Sequence, residues 1–503
     1  MTGEQPDPRR WAALFVCVTA LFMTLLDVSI VIVALPSIGR GLGAGASELQ
    51  WVVSGYALAF GMVPIVAGRL GDDRGRRRML LVGIAAFVIF SATVGLAPSP
   101  GVIIAARVLQ GLAGGLINPQ VAGLVQQLFP RSERGRAFGA IGTAVGVATA
   151  AGPVIGGAII ALGGEHWGWR LCFLVNVPIG IASFLLCRRL LPRDRAPEHA
   201  RPLDLPGVGL LTLGMFGVLF PIVQYDARRD LRLLLIVIPA LAVLVGFVAY
   251  ERGPARQRGH PLIDTTLFRL RSYSNGVALA FVYFVGYTGT PLVLSLFLQF
   301  GLGFSPLHSG LTSATYAVGT AVSAPIGGRL VPRIGNKLLV GALLLFLVGV
   351  AAAAVAGALA AGRVSNDTIT FVLAGPLLIA GLGGGSVITP NQALSLAEVD
   401  VSGGSTAGGM LQTAQRIGNA TGTALGSAVF YTVAGSAAGL GAERADHYGH
   451  AYASALGLAV LFGLGALALA VRDARDARDA RDAAAARAAQ PSVDERTSRS
   501  VSD

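Results

Sequence analysis

Long apolar runs recur along the whole sequence and constrain its fold more than any other feature. A membrane-spanning helix needs roughly 20 mostly apolar residues, and about 14 segments meet this requirement. They lie near residues 11–37, 50–68, 79–97, 101–126, 137–162, 170–190, 204–224, 232–250, 274–300, 309–329, 338–361, 368–393, 405–432 and 451–471. Backbone groups in lipid must be hydrogen-bonded within the segment, so these runs predict an all-α polytopic membrane protein with about 14 transmembrane helices.

The distribution of positive charge predicts how the chain is oriented in the membrane. The net charge is +12, and with a cytoplasmic N-terminus 30 of the 39 Lys and Arg residues fall in cytoplasmic segments. Cytoplasmic loops of membrane proteins carry an excess of these residues. We therefore predict a multi-pass protein of the cell membrane with both termini in the cytoplasm, and no nucleic-acid partner.

An internal repeat predicts two related halves. Residues 68–75 read GRLGDDRG and residues 328–335 read GRLVPRIG, each after an apolar segment. Internal repeats of this kind are common in transporters. The expected domains are an N-terminal six-helix bundle at 1–190, cytoplasmic linkers with two additional transmembrane helices at 191–272, a C-terminal six-helix bundle at 273–471, and a cytoplasmic Arg/Asp/Ala-rich tail at 472–503, predicted to be disordered.

The first apolar segment contains a single acidic residue, Asp27, far from either end. A charged side chain at that depth costs roughly 2.5 kcal/mol or more, and such residues usually face a water-filled cavity or a partner charge. Arg107, in the fourth segment, lies at a similar depth. Two interpretations are open: a proton-coupling pair, and a static buried ion pair.

Four motifs together resemble the 14-helix drug:proton antiporter family of the major facilitator superfamily. They are GRLGDDRGRRR at 68–78, RVLQG at 107–111, GTAVGVATAAGPVIGG at 142–157, and LDVSIVIVALPSI at 26–38. The resemblance covers nearly the whole chain. It implies a major facilitator fold of two six-helix bundles plus two central helices.

The resemblance also implies roles for the motif residues. Proton coupling is expected of Asp27 and Arg107, gating at the cytoplasmic mouth of Gly68, Asp72, Arg74, Gly75 and Arg76, and the antiporter signature of Gly146, Gly152, Pro153, Gly156 and Gly157. Gly152-Pro153 is expected to bend its helix. For the loop motif, positive-inside anchoring without gating is the alternative.

Aromatic and amide side chains in the apolar segments are weaker candidates for contacts with a substrate. They are Trp51, Tyr56, Asn118, Tyr283, Tyr287, Asn391 and Gln412. Such groups suit large amphipathic ligands, although for each residue alone packing or contact with the lipid interface is the favoured explanation. Arg416 is a second charged candidate, either for the cavity or for pairing near the inner mouth.

These features predict a proton-coupled antiporter that exports hydrophobic or cationic small molecules by alternating access. The alternatives are an exporter of one endogenous metabolite or lipid, and an uptake porter. No Walker A pattern occurs in the sequence, so an ion or solute gradient is expected to drive transport. The expected partners are a small-molecule substrate, protons and the lipid bilayer. We expect a monomer that is not an enzyme and that needs no cofactor and no metal.

Overall fold

In the computed structural model, helices make up nearly all of the described residues, which are 8–194, 203–228, 231–253, 261–435 and 442–488, and no strand occurs among them. The helices are α1 (Arg10–Leu42), α2 (Ala46–Met62), α3 (Pro64–Arg74), α4 (Arg76–Gly95), α5 (Pro100–Leu128), α6 (Arg131–Leu174), α7 (Asn176–Leu190), α8 (Leu205–Arg228), α9 (Val237–Arg252), α10 (Arg271–Leu296), α11 (Pro306–Ile334), α12 (Asn336–Ala360), α13 (Asn366–Ser395), α14 (Gly404–Ala434) and α15 (Ala442–Ala488). Short 3₁₀ turns cover Leu231–Ile236, Thr265–Arg269 and Val401–Gly403, and a π turn covers Phe297–Gly301. Below, α1–α7 are called the first half, α10–α15 the second half, and α8 and α9 the additional helices.

Nine helices in the described residues are long and apolar enough to cross a membrane, and counting two bent pairs as one span each gives up to eleven. The bent pairs are Ser47–Met62 with Pro64–Arg74, and Arg131–Thr149 with Val154–Gly164. The other three of the 14 predicted segments coincide with α9, which has only 16 residues, and with α11 and α14, which are rich in Gly, Ser and Thr. The fold class is therefore an all-α polytopic membrane protein, while the number 14 stays a prediction.

The outer surface of these helices is apolar, as a lipid environment requires. Leu162 is 90% exposed, Phe371 79%, and Phe15 71%. A soluble protein rarely exposes so many large apolar side chains over a continuous surface. These residues are suited to contact lipid tails.

Two large apolar clusters lie among the described residues, and only one of them is confined to a single half. Phe87 and Phe138 are almost completely buried in a cluster that extends from α1 to α9 and also includes Tyr273, Ala393 and Met410 of the second half. In the second half, Phe297, Phe346 and Tyr452 are buried in a separate cluster. The larger cluster thus crosses from the first half to the second, and the division into two bundles at 1–190 and 273–471 stays a prediction.

The additional helices pack against both halves. On α8, Val218 and Ile222 join Ala240 of α9 and Ala424 of α14 in a small buried cluster. Gln224 of α8 accepts a hydrogen bond of 2.6 Å from the side chain of Gln50 on α2. These helices therefore lie beside the interface between the first and second halves.

The predicted tail and linkers are described only in part. Helix α15 continues from the last apolar segment through the Arg/Asp repeat to Ala488, whereas residues 489–503 lie outside the described residues. The same is true of linker residues 195–202 and 254–260.

Close packing between α12 and α13 generates a stability prediction. A Cβ atom at Gly349 of α12 would lie 2.2 Å from the backbone nitrogen of Ala380 on α13. We expect Gly349→Ala to lower the free energy of unfolding by about 1–3 kcal/mol, because neither backbone can move without disturbing the core. The melting temperature of the purified protein in detergent measures this loss.

Gly341 on the same helix is the matched control, since nothing lies within 4 Å of a Cβ atom built there. Gly341→Ala is expected to be neutral or slightly stabilising, because alanine favours the helix by about 0.5–1 kcal/mol. Equal melting temperatures for the two variants would contradict the proposed packing.

Candidate functional site

Asp27 on α1 and Arg107 on α5 form an ion pair inside the first half. The Nη1 atom of Arg107 lies 2.5 Å from Oδ2 of Asp27, and each residue is only 1% exposed. The Nε atom of Arg107 also donates to the carbonyl oxygen of Val52 on α2, at 3.1 Å. The structure therefore brings the two charges together, and in this conformation helices enclose them on all sides.

Two amide side chains complete the coordination of Asp27. Gln110 donates from Nε2 to Oδ1 of Asp27 at 3.1 Å, and Asn176 of α7 donates to the same oxygen at 2.8 Å. Asn176 also donates to the hydroxyl oxygen of Ser91 on α4, at 3.0 Å. Donors from two helices, α5 and α7, thus meet one carboxylate of α1.

A row of aromatic rings leads from this ion pair to the second half. The guanidinium carbon of Arg107 lies 4.0 Å from the ring centre of Tyr56. Tyr56 is stacked on Phe60 with a centroid distance of 5.6 Å. The guanidinium carbon of Arg416, on α14, lies 4.3 Å from the ring centre of Phe60. Two cations, one in each half, therefore bracket a pair of stacked rings.

Asp72 joins the two halves by accepting hydrogen bonds at the N-terminus of α14. The backbone nitrogen atoms of Ser405 and Thr406 donate to it at 3.1 Å and 2.8 Å, and the Thr406 hydroxyl donates at 2.8 Å. The N-terminal N–H groups of a helix have no partner within the helix and carry partial positive charge, so a carboxylate there is stabilising. This arrangement is called the Asp72 contact below.

Arg76 strengthens the Asp72 contact from the first half. Its Nη2 atom lies 2.7 Å from Oδ1 of Asp72, and its Nη1 atom donates to the carbonyl oxygen of Gly123 at 2.7 Å. It also donates to the carbonyl oxygen of Val401, just before α14. Gly68 permits the close approach, because a Cβ atom there would lie 2.3 Å from the carbonyl oxygen of Ser405.

The remaining loop-motif residues lie at the turn between α3 and α4. Gly75 has a φ of 104°, which disfavours residues with a side chain. Asp194 accepts hydrogen bonds from the backbone nitrogen atoms of Arg77 and Arg78 at the start of α4. Arg74 is exposed and makes no ion pair or hydrogen bond within the described chain. The acid of the motif thus contacts the second half, while the turn itself is held within the first half.

The glycines of the antiporter motif contact different helices along α6. A Cβ atom at Gly146 would lie 2.8 Å from Cα of Ala321 on α11, whereas one at Gly152 would lie 2.2 Å from Cβ of Ser29 on α1. Gly156 also approaches α1, and a Cβ atom at Gly157 would have nothing within 4 Å. The helix bends by 43° between Arg131–Thr149 and Val154–Gly164, where Gly152-Pro153 was expected to bend it. It therefore changes partner from the second half to the first half near this bend.

The aromatic and amide candidates do not converge on one pocket. Tyr283 and Tyr287 lie 5.3 Å apart between ring centres within the second half, and Tyr283 is 1% exposed. Trp51 lies beside Phe220 of α8, 6.1 Å away. The other candidates are placed as follows: Tyr56 next to Arg107, Asn118 buried on α5, Asn391 donating to the carbonyl oxygen of Gly276, and Gln412 partly buried on α14. Their contact with a substrate stays a prediction.

Sequence reasoning missed several partners of the charged residues. Gln110 and Asn176 stand in the segments RVLQG and NVP, but an amide side chain carries no sign of which carboxylate it will contact. Ser405 and Thr406 lie 333 and 334 residues from Asp72, and nothing in the sequence marks them. Within the described part of the chain, no group of three or more His, Cys, Asp or Glu residues is arranged to hold a metal ion.

Comparison with known proteins identifies relatives over most of the chain. A profile of the Major Facilitator Superfamily matches residues 17–423 and 276–497. The probable actinorhodin transporter of Streptomyces coelicolor is 38% identical over 85% of this chain and 74% of its own length. The tetracenomycin C resistance and export protein of Streptomyces glaucescens is 34% identical over 83% of this chain and 75% of its own length.

A solved structure has the same fold. The human organic anion transporter MFSD10 superposes with a TM-score of 0.64, covering 91% of this chain and 100% of the other, at 17% sequence identity. At that identity, the likeness supports the fold alone.

The Asp72 contact generates a prediction about access between the halves. Gln126 on α5 is 1% exposed and donates to the carbonyl oxygen of Gly404 at 3.5 Å, so a cysteine placed there reports opening. In a Gln126→Cys background, Asp72→Ala should raise the rate of maleimide labelling roughly tenfold, because a carboxylate at a partly buried helix N-terminus is worth up to about 2 kcal/mol. The three natural cysteines are buried and give a low background.

Asp73→Ala in the same background is the matched control. Asp73 forms an ion pair with Arg69 of its own helix, at 2.8 Å, so its loss should leave labelling close to that of the parent. Equal labelling of the Asp72→Ala variant and the parent would show that Asp72 does not hold the halves together.

Proposed function

The chain belongs to the Major Facilitator Superfamily, and we propose that it is a proton-coupled antiporter that exports antibiotics and other drug-like small molecules from the cell. The observation that carries the proton coupling is the enclosed carboxylate of Asp27, held by Arg107 and two amides. The export direction is supported by relatives whose names describe antibiotic export and resistance.

Charge competition at Asp27 supplies the coupling step. In this conformation Arg107 is the counter-charge of Asp27. If Arg107 withdraws when the halves rearrange, the uncompensated carboxylate in an apolar surrounding binds a proton instead. Proton entry and substrate exit are then linked, because each favours a different conformation of the same protein.

The Asp72 contact supplies the gate. It lies on the side of the molecule that the arginine distribution assigns to the cytoplasm. Substrate can leave outward while the contact is formed, and breaking it admits substrate from the cytoplasm. Helix α6 provides a surface for this motion, because its glycines let it contact α11 at one end and α1 at the other.

In this proposal the bundles at 1–190 and 273–471 rock against each other along the glycine-rich surface of α6, as in alternating access. The protein resides in the cell membrane as a monomer with both termini in the cytoplasm. The substrate is a small molecule, and no enzymatic step takes place.

A second candidate function is the export of one particular compound. It is favoured by the relatives, since each of the two named above carries the name of a single antibiotic. A knockout strain tested against a chemical panel separates the two candidates: sensitivity to many unrelated compounds supports multidrug export, and sensitivity to one supports a dedicated exporter.

The role of Asp27 is tested by Asp27→Asn. In everted vesicles we expect substrate-induced proton release to fall to background, because an amide cannot carry a proton through the cycle. Proton release is followed with a pH-sensitive dye, and Asp367→Asn, at an exposed position at the start of α13, serves as the control that keeps it. Normal proton release by the Asp27→Asn variant would refute this coupling.

Because Asp27→Asn leaves Arg107 buried without its counter-charge, the double variant Asp27→Asn with Arg107→Gln removes both charges. It should keep exchange of substrate down a concentration gradient but show no dependence on pH. If the double variant still concentrates substrate against a gradient when a proton gradient is imposed, the coupling residue lies elsewhere.

A further inference from the structure

Arg416 is a charged residue at the middle of α14 for which the proposed proton pathway has no use. It lies 12 residues after Gly404, the start of α14, or about 18 Å along the helix at 1.5 Å per residue. With a hydrocarbon core of about 30 Å, this depth is too great for the side chain to reach either membrane surface easily. The charge of Arg416 must therefore be compensated inside the protein.

Within the described chain, Arg416 forms no ion pair and no hydrogen bond, and its guanidinium group lies over the ring of Phe60. Arg107 offers the contrast, because its charge is matched by Asp27 and its N–H groups reach Gln110 and the Val52 carbonyl oxygen. Charged side chains at membrane depth are costly and mark ligand or ion pathways when they lack a structural partner. The positive charge of Arg416 is thus not neutralised by an acidic side chain of the described chain, and an anionic ligand could neutralise it.

The surroundings of Arg416 lie between the two halves. Phe60 belongs to α2 of the first half, and a Cβ atom at Gly61 would lie 3.9 Å from Cβ of Arg416 and 3.0 Å from Leu219 of α8. A guanidinium placed over a ring keeps its N–H groups free at its edge, where they can bind a carboxylate with two parallel hydrogen bonds. The side chain itself is only partly buried.

The same face of α14 carries two amide side chains whose oxygen atoms lack a hydrogen-bond partner. Gln412 and Asn419 precede and follow Arg416 by four and three residues, a spacing that places them on one helix face. The side-chain oxygen atoms of both are buried without a hydrogen-bond partner. An amide can turn its N–H₂ group toward an anion, so this face offers donors on both sides of the guanidinium.

We propose that Arg416 is the anion-binding group of the transport site, and that the preferred substrates are aromatic or apolar molecules bearing a carboxylate or another acidic oxygen. The proposal rests on the export function above and narrows its substrate class. It replaces the cationic substrates expected from the sequence with anionic ones, because a cation would be repelled by an uncompensated guanidinium. Phe60 and the neighbouring rings accommodate the apolar body of the same molecule.

Two dyes with the same three-ring body test the proposal: fluorescein, which is anionic, and rhodamine 123, which is cationic. Their binding to the purified full-length protein in detergent is measured by fluorescence anisotropy at constant pH and salt. The wild-type protein is expected to bind fluorescein more tightly. In Arg416→Gln, fluorescein binding should weaken about 10- to 100-fold, as for loss of a charged hydrogen-bond donor, and rhodamine 123 binding should strengthen.

Arg416→Lys keeps the charge but loses the planar donor pair, so an intermediate affinity for fluorescein is expected. If Arg416→Gln does not fold, the fluorescein affinity of Arg416→Lys relative to that of the wild type tests the proposal instead. Arg444→Gln is the matched control, because Arg444 is exposed and also lies over an aromatic ring, that of Tyr448. Its dye preference should equal that of the wild type.

Tighter wild-type binding of rhodamine 123, or equal fluorescein binding by the wild type and both Arg416 variants, overturns the proposal. Transport assays keep this outcome distinct from failure of the proposed function. Proton-coupled export of rhodamine 123 that requires Asp27, together with fluorescein binding unaffected by Arg416, would preserve the export function and reject the anion site. Fluorescein binding that requires Arg416, without any proton-coupled transport, would support the anion site and reject the proposed export function.

Discussion

The ion pair between Asp27 and Arg107 shows the constraint on which the whole structure depends: a charge held away from water must find its partners inside the protein. Placing either charge alone among apolar helices would cost several kcal/mol. The cost is offset because the pair is close and its remaining polar atoms are hydrogen-bonded by Gln110, Asn176 and the Val52 carbonyl group. These contacts fix how α1, α2, α5 and α7 are turned toward one another.

The same constraint accounts for two contacts that α14 makes with the first half. Its N-terminal N–H groups are satisfied by Asp72 from the first half, and its central charge, Arg416, lies over Phe60 of the first half. Tyr56 contacts Arg107 on one side and Phe60 on the other. A contiguous row of side chains therefore connects the Asp27–Arg107 pair to α14.

Much of the site could be predicted because its charges stand out in an apolar sequence. Asp27 and Arg107 are recognisable by their depth, and Asp72 by its glycine-rich loop, and the structure gives each of them a buried or inter-half contact. The partners could not be predicted, because Asn176 is 149 residues from Asp27 and Thr406 is 334 residues from Asp72. Amide, hydroxyl and backbone groups are common, and only helix packing selects which of them meets a given carboxylate.

The sequence by itself determined that the chain is a helical membrane protein, since the length and apolarity of its segments leave no other way to satisfy the backbone in lipid. It also determined where the costly charges stand along those segments. Only the tertiary structure decided which charges are neutralised: Arg107 has a carboxylate and Arg416 has none within the described chain. Two arginines in apolar segments look alike in a sequence, but the rotation and pairing of the helices decide whether an acid lies within reach.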